Sequence, residues 1–423
     1  MRKVPANIKY IKILSFACIG HFLELYDYTV FVVLLSVMSP LFFPADTISG
    51  SISIGMLLFG CSLLICAPAA YFWGTYGDKY GRLPMLRKSI LMMAFPSLLI
   101  ALLPTYDDLG MAAALVLMLA RFMQTFSAAG EINGAKIFVM EHFGDKYLGR
   151  MSGLFSAIGG LGVLFAMFMG WLVSSCDVSW RVPFFIGSSL AIVGVLIRRK
   201  VAESPEFIKL MQQPNSTEVA TGSTIDMLKN NKFQAIIVIS IAAVLGILSY
   251  MMHAFMNPFL ISLNVSSNLT YQMSIVGLVS CAIISIITGF ITDYYAGENR
   301  LLIINFIASI ILTPLAYKMI FLYTENSYLA LLYAAFIILG GLLGMNAALG
   351  SVIMYKLFAP SSRCRGIIIC YSIGMAIFGG FTPLVLQMLS KVGFYFPAML
   401  VSALIFIALI LFKINMEKID ALS

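Results

Sequence analysis

The sequence predicts an all-α polytopic membrane protein: twelve transmembrane helices in two pseudo-symmetric six-helix bundles. Three observations predict it. The 423 residues are 61% hydrophobic and only 11% charged, where a soluble chain carries about a quarter charged residues. The apolar residues gather in twelve runs, each near the ~20 residues that a bilayer core requires. Of the 27 Lys and Arg, all but Arg121, Arg181, Lys318 and Lys391 fall in segments that an even number of spans places on one side. By the positive-inside rule that side is the cytoplasm, and both termini lie there.

The expected helix cores, in order, are 13–37, 51–73, 88–104, 111–135, 149–173 and 182–197, then 233–257, 270–292, 301–322, 327–355, 366–389 and 394–413. The basic start, MRKVPANIKYIK, precedes a run too long for a signal peptide and carrying two acids, so it reads as an uncleaved first helix. Residues 198–232 are polar and hold no apolar run. They divide the chain into an N-terminal bundle (1–197), a cytoplasmic linker (198–232) and a C-terminal bundle (233–423). Within the linker, ESPEFIKLM opens with Ser-Pro and suits a short surface helix, whereas 211–224 has the composition of a disordered stretch. The seven cysteines are scattered and show no metal spacing, which leaves them as small packing residues.

The most discordant stretch is GHFLELYDYTVF (20–31), where His21, Glu24 and Asp27 interrupt an apolar run. An ionised group at the bilayer centre costs at least ~2.5 kcal/mol, so the two carboxylates mark a functional site. Helical spacing aligns His21, Glu24, Tyr28 and Phe31 on one face, with Asp27 on its shoulder. In helix 4 a second stripe holds Arg121, Gln124, Ala128 and Glu131. Counted from opposite membrane surfaces, Glu24, Asp27 and Arg121 reach similar depth. Glu131 lies ten residues on, ~15 Å nearer the cytoplasm at 1.5 Å per residue. The halves also share a loop pattern. GTYGDKYGR (74–82) and GFITDYYAGENR (289–300) each contain Gly, Asp four residues on, then Gly and Arg, as a parallel repeat would.

These residues resemble the major facilitator superfamily, in particular its metabolite–proton symporters, which include proline/betaine, α-ketoglutarate, citrate and shikimate carriers. The superfamily loop G-x-x-x-D-R-x-G-R is similar to Gly74, Gly77, Asp78, Lys79, Gly81 and Arg82, with Lys79 in place of Arg. The first-helix pattern G-N-x-x-E-W-Y-D-F resembles Gly20 to Tyr28, with Leu25 in place of Trp. The fourth-helix pattern R-F-x-Q-G-x-x-x-G-G-E resembles Arg121 to Glu131, with Thr125 and Ala129 replacing glycines. W-R-x-P-F appears as Trp180 to Phe184, E-S-P-x-F as Glu203 to Phe207, and the helix 11 pattern as Gly374 to Leu384.

The resemblance implies the major facilitator fold, with helices 1, 4, 7 and 10 lining a central cavity. Both stripes then face one water-filled site. Two carboxylates a helix turn apart raise each other's proton affinity, so one can stay ionised against Arg121 while the other carries a proton. Asp27 is preferred as the ion-pair partner and Glu24 as the carrier, with Glu131 the rival. The bland alternative is that all three only lock helices 1 and 4 together. Expected substrate contacts are His21, Tyr28, Arg121 and Gln124, with Tyr250, His253 and Asn257 on helix 7 and Asn346 on helix 10. Glycines 340, 341 and 344 suit close packing. Expected gate residues are Gly74, Asp78, Gly81, Arg82, Asp293 and Arg300, with Asp78 capping helix 11 near Gly366.

The function expected is proton-coupled uptake of a small polar metabolite by alternating access. Arg121 is the one deep cation this reading finds, which points to a zwitterion such as an amino acid or betaine, or to a monocarboxylate. The alternatives are a di- or tricarboxylate symporter, a drug:proton antiporter and a non-transporting nutrient sensor. Helix 5 lacks the antiporter proline between Ser156 and Gly170. No nucleotide loop, catalytic triad or metal cluster is found, so no enzyme activity, cofactor or nucleic-acid partner is expected. The drive is the proton gradient, the surroundings are the bilayer of a bacterial inner membrane, and the expected state is a monomer.

Overall fold

The structure is a computed structural model, and it describes residues 6–176, 178–198, 201–213, 223–295 and 297–421. No strand occurs among them. The main helices are α1 (Ala6–Val33), α2 (Gly50–Tyr80), α3 (Arg82–Leu102), α4 (Met111–Phe143), α5 (Leu148–Ser175) and α6 (Arg181–Arg198). They continue as α7 (Lys232–Ser262), α8 (Ser267–Tyr295), α9 (Glu298–Asn326), α10 (Leu329–Leu357), α11 (Arg363–Val392) and α12 (Phe396–Asp420). Each of the twelve expected cores overlaps one of these. Ten of the described helices are each long and apolar enough to cross a membrane. The first becomes an eleventh span if Ala17–Val33 joins Leu35–Phe42 across a 62° bend, and α6 holds a shorter apolar stretch, Arg181–Gly194. The chain is a multi-pass membrane protein.

Contacts group the chain into two compact units. Unit 1 comprises Met1–Phe143, Leu161–Thr221 and Pro360–Ile368; unit 2 comprises Gly144–Gly160, Gly222–Ala359 and Ile369–Ser423. The first turns of α5 thus belong to unit 2, and those of α11 to unit 1.

In unit 1 the core centres on large aromatics. Tyr26 of α1 is buried and donates to the Pro183 carbonyl at 2.8 Å, while Trp180 meets Phe42 edge-on at 5.5 Å. The α6 entry motif therefore ties α6 to both parts of the bent first span. Along α3, Leu91, Phe95, Leu98 and Leu102 repeat at helical spacing and stay exposed, the apolar outer face that lipid requires. The linker helix forms as Pro205–Met211: Pro205 suits the first helical turn, and the Ser204 hydroxyl accepts from the Phe207 amide at 3.1 Å. The stretch 211–224 falls mostly on residues outside those described.

Unit 2 shows how a kink is satisfied. Pro314 inside α9 cannot donate to the Ile310 carbonyl four residues back, and the Ser402 hydroxyl of α12 donates to that oxygen instead, at 3.0 Å. Gly340 and Gly344 of α10 lie against the backbone carbonyls of Gly277 and Cys281 on α8, where a methyl group would collide. Short π-helical turns interrupt α7 at Met251–Phe255 and α11 at Met375–Gly379.

Candidate functional site

The mid-span charges of unit 1 form one connected network. The Asp27 carboxylate on α1 accepts from the Ser97 hydroxyl of α3 at 2.6 Å and from the Gln124 amide of α4 at 2.6 Å. Gln124 also donates to Ser97 at 2.9 Å and accepts from Arg121 Nη1 at 2.7 Å. Arg121 and Asp27 are thus bridged by Gln124, one turn along α4. The guanidinium is fully buried among aromatic rings, its Cζ lying 4.1 Å from the Phe31 centroid, 5.7 Å from Tyr28 and 5.8 Å from Phe59. Three helices hold these side chains, so truncating one removes a hydrogen bond to a buried charge, which costs ~1.5–3 kcal/mol.

Glu24, 1% exposed, lies one turn from Asp27, with Oε2 4.0 Å from His21 Nδ1. A further buried cation is one the sequence reading placed in a loop. α4 continues eight residues past the expected end at 135, so Lys136 lies inside the helix, 8% exposed, and its charge acts on both Glu24 and His21. The expectation of a single deep cation is corrected accordingly. Glu131 is fully buried and accepts from the Ser89 hydroxyl of α3 at 2.7 Å.

In unit 2 the expected contacts meet separate neighbours among the described residues. His253 sits in the π-turn of α7, with Nδ1 3.3 Å from the Ser249 hydroxyl. Asn257 accepts from Ser274 of α8 at 2.6 Å, and the Tyr250 ring packs against Gly379. Asn346 is fully buried on α10, and its side chain has no hydrogen-bond partner among the described residues.

The loop between α2 and α3 builds a second charged cluster in unit 1. Asp78 accepts from the backbone amides of Cys364 and Arg365 at 3.0 Å each, capping α11 one to two residues before Gly366. Gly74 admits this approach, because a Cβ there would sit 2.9 Å from Arg365 Cα. Gly81 turns the chain at φ +104°, where a side chain would be strained and would also strike Glu203. Arg82 donates to Glu141 at 3.0 Å and to the Gly77 and Pro360 carbonyls, and its guanidinium covers the Phe207 ring at 5.1 Å. Arg363 bridges Glu141 at 3.1 Å and Glu206 at 2.5 Å, while Ser204 donates to Glu141 at 2.5 Å. The linker helix is therefore clamped into the cluster. In unit 2, Asp293 accepts from the Gly149 and Arg150 amides at 2.6 and 3.0 Å, capping α5; Arg300 is exposed.

Sequence reasoning missed Ser97, Phe59, Lys136, Glu141, Arg363 and Arg365. The last four carried a signal, being charged residues at the ends of apolar runs. A serine or phenylalanine within such a run carries none.

Residues 17–321 match the model of the Major Facilitator Superfamily. The chain is 25% identical over 403 residues to the glycine betaine/proline/ectoine/pipecolic acid transporter OusA of Dickeya dadantii, covering 92% of this chain and 79% of that one. It is 28% identical over 386 residues to a putative proline/betaine transporter of Staphylococcus aureus, covering 87% and 79%. Among solved structures, the proton:xylose symporter XylE matches with TM-score 0.75 at 14% identity, over 96% of this chain and 95% of that one. The human organic anion transporter MFSD10 matches with TM-score 0.70 at 15% identity, over 97% and 100%. At such identities the structural likeness is one of fold. The family model spans well over half of the sequence, and the chain belongs to the Major Facilitator Superfamily.

Proposed function

We propose that this transporter carries a small carboxylate-bearing metabolite, in the first instance a zwitterion such as an amino acid or betaine, into the cell together with a proton. The observation that carries the reading is the bridged Asp27–Gln124–Arg121 set, which offers opposite charges side by side at one depth. A zwitterion answers both: its carboxylate meets Arg121 and its ammonium meets the acids. The relatives named as glycine betaine and proline transporters support the same substrate class. A single small dicarboxylate is disfavoured, because Arg121 and Lys136 stand fifteen residues apart on one helix, ~22 Å at 1.5 Å per residue.

Charge count supports proton coupling. Among the described buried residues of α1 and of α4 from Arg121 to Lys136, the carboxylates of Glu24, Asp27 and Glu131 outnumber the cations of Arg121 and Lys136. A formal negative charge left buried in a span is costly, and one proton removes it. Glu24 is the preferred carrier: both oxygens of Asp27 are already engaged, by the Ser97 hydroxyl and the Gln124 amide. Alternating access would break and remake the Asp78 and Asp293 caps at the cytoplasmic ends.

The test is uptake of labelled glycine betaine and proline into proteoliposomes with an imposed pH gradient. Glu24→Gln should abolish gradient-driven accumulation and leave exchange across the membrane within about threefold of wild type. Normal accumulation by that variant would remove Glu24 from the role. Uptake that ignores the gradient and a protonophore would make the chain a uniporter.

A further inference from the structure

The Arg121 surroundings carry a second meaning, which rests on the reading that Arg121 meets the substrate. Phe31, Tyr28 and Phe59 place ring centroids 4.1, 5.7 and 5.8 Å from its Cζ, and the Tyr28 and Phe59 rings touch each other at 5.4 Å between centroids. Phe31 is 1% exposed. Rings grouped around a cation are the arrangement proteins use to bind quaternary ammonium ligands. Here the cation inside is the chain's own guanidinium.

We propose that Tyr28, Phe31 and Phe59 form a filled aromatic box that positions Arg121 and makes the site select for a carboxylate and against a bare cation. Three steps lead there. A box already holding a guanidinium has no place for a substrate's ammonium. Rings lying over the guanidinium confine its hydrogen bonding to its edge, and a guanidinium edge is a planar fork matched to a carboxylate. Gln124 fixes the fork's rotation by accepting from Nη1 at 2.7 Å, and is itself anchored on Asp27 at 2.6 Å. The fork is thus oriented before the substrate arrives. The rings are positioning residues, acting through Arg121.

Two probes separate the charges. Choline has the trimethylammonium group of glycine betaine without its carboxylate. 3,3-Dimethylbutyrate has the carboxylate, with carbon in place of the ammonium nitrogen. Thermal unfolding of the purified wild-type protein should rise with 3,3-dimethylbutyrate and not with choline. Phe31→Leu should lose that shift and raise the KM for glycine betaine uptake tenfold or more with kcat within threefold, and Phe31→Tyr should recover most of both. A wild-type protein stabilised by choline, or not stabilised by the carboxylate, overturns the proposal whatever is transported. A carboxylate shift retained by Phe31→Leu and Phe59→Leu but lost in Arg121→Lys overturns the box and leaves Arg121 as the substrate contact. A shift that survives Arg121→Gln overturns both readings.

Discussion

Asp78 in unit 1 and Asp293 in unit 2 occupy the same place in a repeated loop pattern and do the same local job, yet their surroundings differ. Each caps the first turn of a long helix by accepting from two consecutive backbone amides, where the helix dipole favours negative charge. Asp78 is sealed. It also takes Arg365 Nε at 3.2 Å and lies 3.5 Å from Arg82, whose side chain is itself fully buried against Glu141. Asp293 adds one ion pair, to Arg150 at 3.3 Å, and that arginine is 41% exposed. The motif supplies the cap in both places; the neighbours decide what the cap is worth. Removing a buried carboxylate beside two buried guanidiniums takes an ion-pair partner from each, whereas Arg150 can turn to solvent.

Removing each cap is the direct way to break the comparison. Asp78→Ala should cost ~3–5 kcal/mol, the usual penalty for breaking one side of a buried ionic set, and should slow turnover with little change in KM. Asp293→Ala should cost only ~1–2 kcal/mol, the scale of a lost helix cap. Unfolding midpoints of the two purified variants, read beside their uptake rates, test the difference. Equal losses would mean that the neighbours of Asp78 add nothing to its cap.

The fold was legible because each span repeats a strong signal, an apolar run of about twenty residues closed by charge. The helix ends were not, and the reason is physical. A lysine just past an apolar run reads as a loop residue, yet Lys136 continues α4 and is buried, with Glu24 of α1 the acid whose charge acts on it. The Asp27 and Arg121 stripes were legible from helical spacing. The bridging role of Ser97 was not, since it depends on α3 passing between two helices distant in sequence. Phe59 reads as one more apolar residue, and only the fold places it against Arg121. The unit 1 cluster joins Asp78, Arg82, Glu141, Glu206 and Arg363 from four separate segments, of which spacing exposed only the first pair.

The smallest predicted effect sharpens the comparison through pH. The unit 1 cluster gathers four acids, Asp78, Glu141, Glu203 and Glu206, around Arg82, Arg363 and Arg365. The Asp293 site has an arginine for its one acid. Glu203 bears the consequence. Burial pushes its carboxyl above the ordinary glutamate range, against the opposing pull of the Ser204 and Leu83 amides and of Arg82, and Glu141 adds to the rise. A carboxyl raised in the folded state keeps its proton where the unfolded chain has released its own. Its contribution to stability is therefore largest at low pH and declines as pH rises from about 4.3, the ordinary glutamate value, through the raised folded value. Glu203→Gln cannot ionise and lacks this decline. Unfolding midpoints of wild type and variant between pH 4 and 7 should converge at the acid end, with wild type falling below the variant as pH rises. A constant gap, or wild type gaining on the variant with pH, would mean that burial among the acids of this cluster does not raise the Glu203 carboxyl.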